Sequence, residues 1–219
     1  MTPEIREIAV FTIFAALTAT AVMLVPGIAL AWLLARRRFP GKAIVETLVS
    51  LPLVIPPVAT GLLLLWLLGR RGPIGRLLEA AGIEVVFTAR AVVIAMAIMG
   101  LPLLVRTARA GFEQVTRRYE QIAETLGAGP WRVFSTVTLP LASRNILAGA
   151  LLGFSRALGE FGATIVVAGS IPGRTRTLAV GIYSFTETGQ DAQAAALLAI
   201  SVTIAFAAVL ISNRLAGEP

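Results

Sequence analysis

Arg156 and Glu160 are the residues of this chain whose types and spacing invite chemistry, because they lie four apart in an otherwise uncharged stretch, Asn145 to Ala168. A helix brings such a pair together, and either charge alone near a bilayer centre is costly. What they offer is electrostatic: an arginine that attracts a passing oxyanion, with the glutamate tempering that attraction, or an ion pair that simply pins two helices. Bond-making chemistry lacks its usual residues. The chain has no Cys and no His, hence no thiolate, no ordinary zinc ligand set and no imidazole base. Its sole lysine, Lys42, follows Gly41 without the earlier glycine or the Ser/Thr of a phosphate-binding loop, so ATP must bind another chain. A membrane enzyme would have to run on Glu160, Arg156 and scattered hydroxyls, and no metal site is expected.

The elements that must position this pair are membrane spans. Apolar residues make up 57% of the 219 and charged ones only 14%, against roughly 45–50% and 25% in soluble domains. The mean hydropathy is +0.84. The net charge of +7 does not point to nucleic acid, because the basic clusters flank apolar runs and so set orientation in a bilayer. Five spans are expected, at about 8–35, 47–69, 87–110, 145–168 and 192–213, each long enough to cross. Glu4, Arg6 and Glu7 are not the basic start of a signal peptide, and the first apolar run is too long for one. Pro52, Pro56, Pro57 and Gly61 interrupt the second span. In the third, Arg90 and Arg106 are expected to reach toward the two interfaces. Leu178 to Phe185 is too short to span and lies at an interface or helps close a pathway. The expectation is an all-α, polytopic single domain over 1–219, with a polar loop at 111–140 inside it.

Five spans put the termini on opposite sides. One side collects eleven basic residues: Arg36, Arg37, Arg38, Lys42, Arg106, Arg109, Arg117, Arg118, Arg132, Arg144 and Arg214. The other holds seven: Arg6, Arg70, Arg71, Arg76, Arg90, Arg174 and Arg176. Counting Lys and Arg therefore places the C-terminus in the cytoplasm and the N-terminus outside.

Within the polar loop, Tyr119, Ile122, Ala123 and Leu126 recur at the spacing of one helix face, and Glu120 and Glu124 fall on its other sides. Gly127 is placed to stop that helix in a left-handed turn, and Ala128 and Gly129 lead to Pro130, which suits the first turn of a second helix. That second helix, from Trp131 to about Val137, is expected to end before Pro140.

Gln121-Ile122-Ala123, three residues, Gly127, nine residues and Val137-Thr138-Leu139-Pro140 together resemble the cytoplasmic signature of ATP-binding-cassette importer permeases. That signature begins Glu-Ala-Ala, so Gln121 stands in place of its glutamate, and a salt bridge to the motor would come from Glu120 or Glu124. Several further stretches resemble the molybdate branch of the family, so that the likeness covers nearly the whole chain: Arg38 to Lys42, Leu51 to Gly61 with Pro56 and Pro57, Arg156 to Thr164, and Ile171 to Thr177. Sulfate and tungstate permeases share the plan but are less alike in the proline-rich span and the Gly-Glu-Phe-Gly segment.

The resemblance implies a type I importer fold, working as a homodimer in the inner membrane with two cytoplasmic ABC ATPase subunits that hold ATP and Mg. It also implies an external binding protein that delivers the anion. Residues Tyr119 to Trp131 would dock on the ATPase, while Arg156, Glu160, Pro56 and Pro57 are candidates for the pathway. Arg174 and Arg176 could meet the anion or the binding protein, or form a solvated basic loop. A secondary transporter or channel is the rival class, but the chain has no clear inverted repeat and no carboxylate or His relay.

Overall fold

A computed structural model describes residues 2–216, and these form a bundle of helices without strands among them. The first, α1 (Pro3–Arg36), starts five residues earlier than expected. Thr2 caps it by accepting from the Ile5 N–H at 3.4 Å, and Pro3 sits at its first position. At 34 residues it is about 51 Å long.

The second span is two helices, α2 (Lys42–Val54) and α3 (Pro57–Leu68), bent by 114° at Ile55–Pro56. Pro52 is carried inside α2, so it is Pro56 and Pro57 that make the break. Despite the bend the pair crosses the bundle. Glu46 and Ser50 of α2 bond Arg109 and Arg106, whereas Arg70, just past α3, bonds Glu84, just ahead of the next long helix. That helix, α5 (Ala89–Gln114), follows the short α4 (Pro73–Ala80).

Two details of α5 correct the sequence reading. It begins two residues late, because Phe87 has φ +60° and donates its N–H to Val167, leaving Thr88 to cap the helix through the Arg90 N–H at 3.2 Å. It also runs four residues past 110, and the exposed Arg106 donates to Ser50 of α2 at 3.1 Å.

After α6 (Arg117–Thr125), α7 (Pro130–Val133) opens a helix that does not stop before Pro140. It widens into a π-helical turn (Phe134–Thr138) and continues as α8 (Leu139–Leu158), giving 29 residues from Pro130 to Leu158. A proline in an α-helix clashes with the carbonyl four residues back, and the wider π turn relieves that clash. The fourth span is therefore shifted toward the loop relative to 145–168, and it breaks at Gly159–Phe161 before the short α9 (Gly162–Val167). Next comes α10 (Leu178–Glu187), whose first N–H is accepted by the buried Thr12 hydroxyl of α1 at 2.9 Å. The last span, α11 (Asp191–Ala216), lies where it was expected.

The core is built of small side chains. Ala15, Ala16, Ala19 and Met23 of α1 pack on Ala91, Ala95, Met96 and Met99 of α5. Gly100 faces α8 so closely that a Cβ there would stand 2.7 Å from the Gly153 carbonyl. In lipid, helices associate through such close van der Waals fit rather than by expelling water. Large apolar side chains such as Leu198, Val202 and Phe206 face outward, where a bilayer solvates them.

Candidate functional site

The chain has a loop end, where α1 and α5 finish and α8 starts, and a far end, where α1 begins beside residues 169–177. At the loop end, α6 and the start of α7 project an apolar surface that nothing among the described residues covers. Tyr119 and Ile122 are about half exposed, Leu126 is 83% exposed and Trp131 is 78% exposed. Ala123 and Ala128 are half-buried, and Gln121, Gly129 and Pro130 are exposed. Gly127 adopts φ +85°, with its N–H bonded to Glu124 and that of Ala128 to Ala123, so the left-handed stop forms as the sequence predicts. Pro130 holds the first position of α7, and the Trp131 ring leans on Phe134 at 5.7 Å.

Glu120 is not on that surface. Arg36, the last residue of α1, donates to its Oε1 at 3.0 Å, and the Thr138 hydroxyl donates to the same oxygen at 2.6 Å. The two ionic side chains are only 11% and 17% exposed. The Oε1 of Glu120 is thereby taken up within the chain, whereas Gln121 and Glu124 are exposed and Glu124 is free of any cation among the described residues. Sequence reasoning missed Arg36 and Thr138. From the sequence, Arg36 is one of three orienting arginines and Thr138 a signature position, with nothing to join either to Glu120.

Arg156 and Glu160 do pair, Nη1 to Oε2 at 2.6 Å, but not along one helix. Glu160 lies in the break, 1% exposed, and its other oxygen accepts the Ala163 N–H at 2.7 Å. Gly153 lies against Gly100, midway along α5, so Arg156 is one turn beyond the middle of the bundle toward the far end. Its side chain is 26% exposed. The two breaks meet here, Pro57 of α3 resting on Gly162 of α9. Pro56 and Gly159 are exposed beside the pair, and non-helical backbone at membrane depth is tolerated only against protein or water.

At the far end the two outer arginines part company. Arg176 is committed: it donates to Glu4 at 3.0 Å and Ser170 at 3.2 Å and lies 5.8 Å from the centre of the Phe185 ring. Arg174 makes no side-chain bond among the described residues. It borders a cavity of about 590 Å³ together with Arg70, Glu79, Glu84 and Phe87. The Glu84 carboxylate, hydrogen-bonded to Arg70, raises that arginine's pKa.

The chain thus carries an exposed apolar surface at one end, a broken helix pair with an ion pair at mid-depth and a cleft at the other end. The sequence profile of binding-protein-dependent transport system inner membrane components matches residues 27–216. The chain is 50% identical over 192 residues to the molybdenum transport system permease protein ModB of Escherichia coli K12, covering 87% of this chain and 84% of that one. It is 35% identical over 216 residues to the sulfate transport system permease protein CysT of the same organism, covering 97% and 78%. Among solved structures, a bacterial ABC transporter that imports the acidic polysaccharide alginate superposes with a TM-score of 0.65 at 18% identity, covering 99% of this chain and 80% of that one, which establishes the fold. The chain belongs to the family of binding-protein-dependent transport system inner membrane components.

Proposed function

We propose that this chain is the membrane subunit of an ATP-driven importer of molybdate. Two copies form the pathway, two cytoplasmic ATPases bind ATP and its Mg, and a binding protein outside delivers the anion. The C-terminus and the loop end face the cytoplasm, in keeping with the basic residues gathered there. The observation that carries this reading is the exposed Tyr119, Ile122, Leu126 and Trp131 surface on a helix pair projecting from the ends of α5 and α8. A membrane protein has no use for an uncovered apolar patch outside lipid unless a partner covers it. The 50% identity to a molybdenum permease, against 35% to a sulfate one, supports molybdate as the cargo.

In this mechanism, closure of the ATPase dimer displaces α6 and α7, and α8 carries that displacement to Arg156 at mid-depth. The partly exposed face formed by Pro56, Pro57, Arg156 and Gly159 lines the route between the two copies. Arg156 offers the oxyanion a cationic contact. Glu160 keeps the net charge of the site low, so that the anion is passed on rather than trapped. At the far end Arg174 guides the anion or meets the binding protein, and Arg176 holds the loop in place.

The test is uptake of labelled molybdate by cells lacking their own importer and supplied with this chain, its ATPase and its binding protein. Uptake that requires ATPase activity and resists excess sulfate supports the proposal. Uptake blocked mainly by sulfate reassigns the cargo, and uptake without the ATPase overturns the class.

A further inference from the structure

We infer that Glu120 is a positioning residue for energy coupling. Through Arg36 and Thr138 its carboxylate makes the docking helix, the ends of α1 and α5 and the entrance to α8 move as one body. This rests on the proposed docking role of the exposed Tyr119, Ile122, Leu126 and Trp131 surface and goes beyond it, because it assigns the internal joint through which movement there reaches the membrane helices.

The argument starts from what does not hold α6. None of its residues is buried, so hydrophobic packing does not seat it on the bundle. Its other side-chain tie to the membrane helices is a long bond from Arg117 to the Arg36 carbonyl at 3.5 Å. Against that stands one Glu120 oxygen that accepts from two side chains at 3.0 and 2.6 Å. The same Arg36 Nη2 also donates to the Val115 carbonyl, which caps the end of α5, at 2.9 Å. A single guanidinium and a single carboxylate thus join α1, α5, α6 and the π turn that leads into α8. An exposed ion pair of this kind would transmit little, since water and salt compete for it. Here both groups are largely withdrawn from solvent, and charge-assisted bonds in such a setting are short, directional and strong.

The joint also lies at the one place where the α8 helix is widened. The π turn ends at Thr138, immediately ahead of Leu139 and Pro140, and Thr138 is itself buried. A pull on Glu120 therefore acts on the segment where α8 has an extra residue in its turn, an arrangement often found at functional positions.

The complete importer in liposomes provides the test, with molybdate uptake and ATP hydrolysis measured in the same vesicles and the ATPase retained by the permease measured alongside. In E120Q, retained ATPase and hydrolysis rate should stay within about twofold of wild type, while ATP consumed per molybdate rises about tenfold, as loss of one charge-assisted bond implies. T138V, which leaves the ion pair intact, should raise that ratio about threefold. An unchanged ratio in both single variants overturns the inference, as does loss of the ATPase from E120Q in step with uptake, which would make Glu120 a docking contact. If E120Q fails to reach the membrane, the ratio in T138V decides. A wild-type complex that takes up no molybdate, or does so without ATP, would instead sink the proposed function.

Discussion

Pro57 rests on Gly162 where two broken spans cross: a Cβ at residue 162 would stand 2.7 Å from the Pro57 Cβ. Each break frees backbone groups from helical bonding, and a bilayer cannot satisfy them. Glu160 takes up one such group, the Ala163 N–H, at 2.7 Å.

Substituting Gly162 with Val should overpack that crossing and cost about 1–3 kcal/mol. The expected result is a lower thermal midpoint in detergent, with a matching fall in membrane abundance. An unchanged midpoint would mean that the breaks are not held by this contact.

Leu126→Arg and Trp131→Arg should leave the protein folded and in the membrane, because both side chains are mostly exposed and the ring contact of Trp131 is local, with Phe134 three residues on. Loss of the apolar surface should cut retention of the ATPase by tenfold or more, about 1.4 kcal/mol. Co-purification of the complex measures this directly, and retention at wild-type levels would move the docking surface elsewhere.

Gly127 has φ +85° with open space around it, so only backbone strain limits what can replace it. Gly127→Asn should be tolerated, since Asn visits the left-handed region, whereas Gly127→Val should cost about 1–2 kcal/mol and disorder the turn. Transport by the Asn variant well above that of the Val variant checks this ordering.

Removing Glu160 alone strands Arg156 at mid-depth, and removing Arg156 alone strands a carboxylate that is 1% exposed. Each single Leu variant should lose about 3–5 kcal/mol, and the double Leu variant much less. If Arg156 meets the anion, the stable double variant should still reach the membrane yet fail to transport. Transport by it at wild-type rates would leave the pair a structural clamp.

Arg176→Glu should destabilise the far end, because it places a carboxylate beside Glu4 and removes the bond to Ser170. Arg174→Glu should leave stability within about 0.5 kcal/mol, as a surface change does. Its effect should appear in stimulation of ATP hydrolysis by the loaded binding protein. Equal effects on stability would contradict the division of roles between the two arginines.

How far the sequence could be read differs from element to element. The spans at α1, α5 and α11 were found to within a few residues at most ends, because twenty or more apolar residues in a row have one solution in a bilayer. The stop at Gly127 was legible because a single glycine between two helical patterns meets one local need. The continuation through Pro140 was not, since a π turn leaves no mark in propensity. Helical spacing alone sets Glu120 off the apolar face of its helix, but it cannot show that Arg36, 84 residues earlier, reaches it.

By itself, the sequence determined that the chain lives in lipid, roughly where it crosses, and that a helix ended by a glycine stop lies between the third and fourth spans. Those properties depend on composition and on neighbours within a few turns. Tertiary structure alone decided which charges are spent and which remain available. Glu120 and Arg176 are held inside the fold, while Glu124 and Arg174 are left open. It also decided that the breaks after Val54 and Leu158 meet at Pro57 and Gly162. The partner that claims a charge or covers a break comes from a distant part of the chain, and only packing brings the two together.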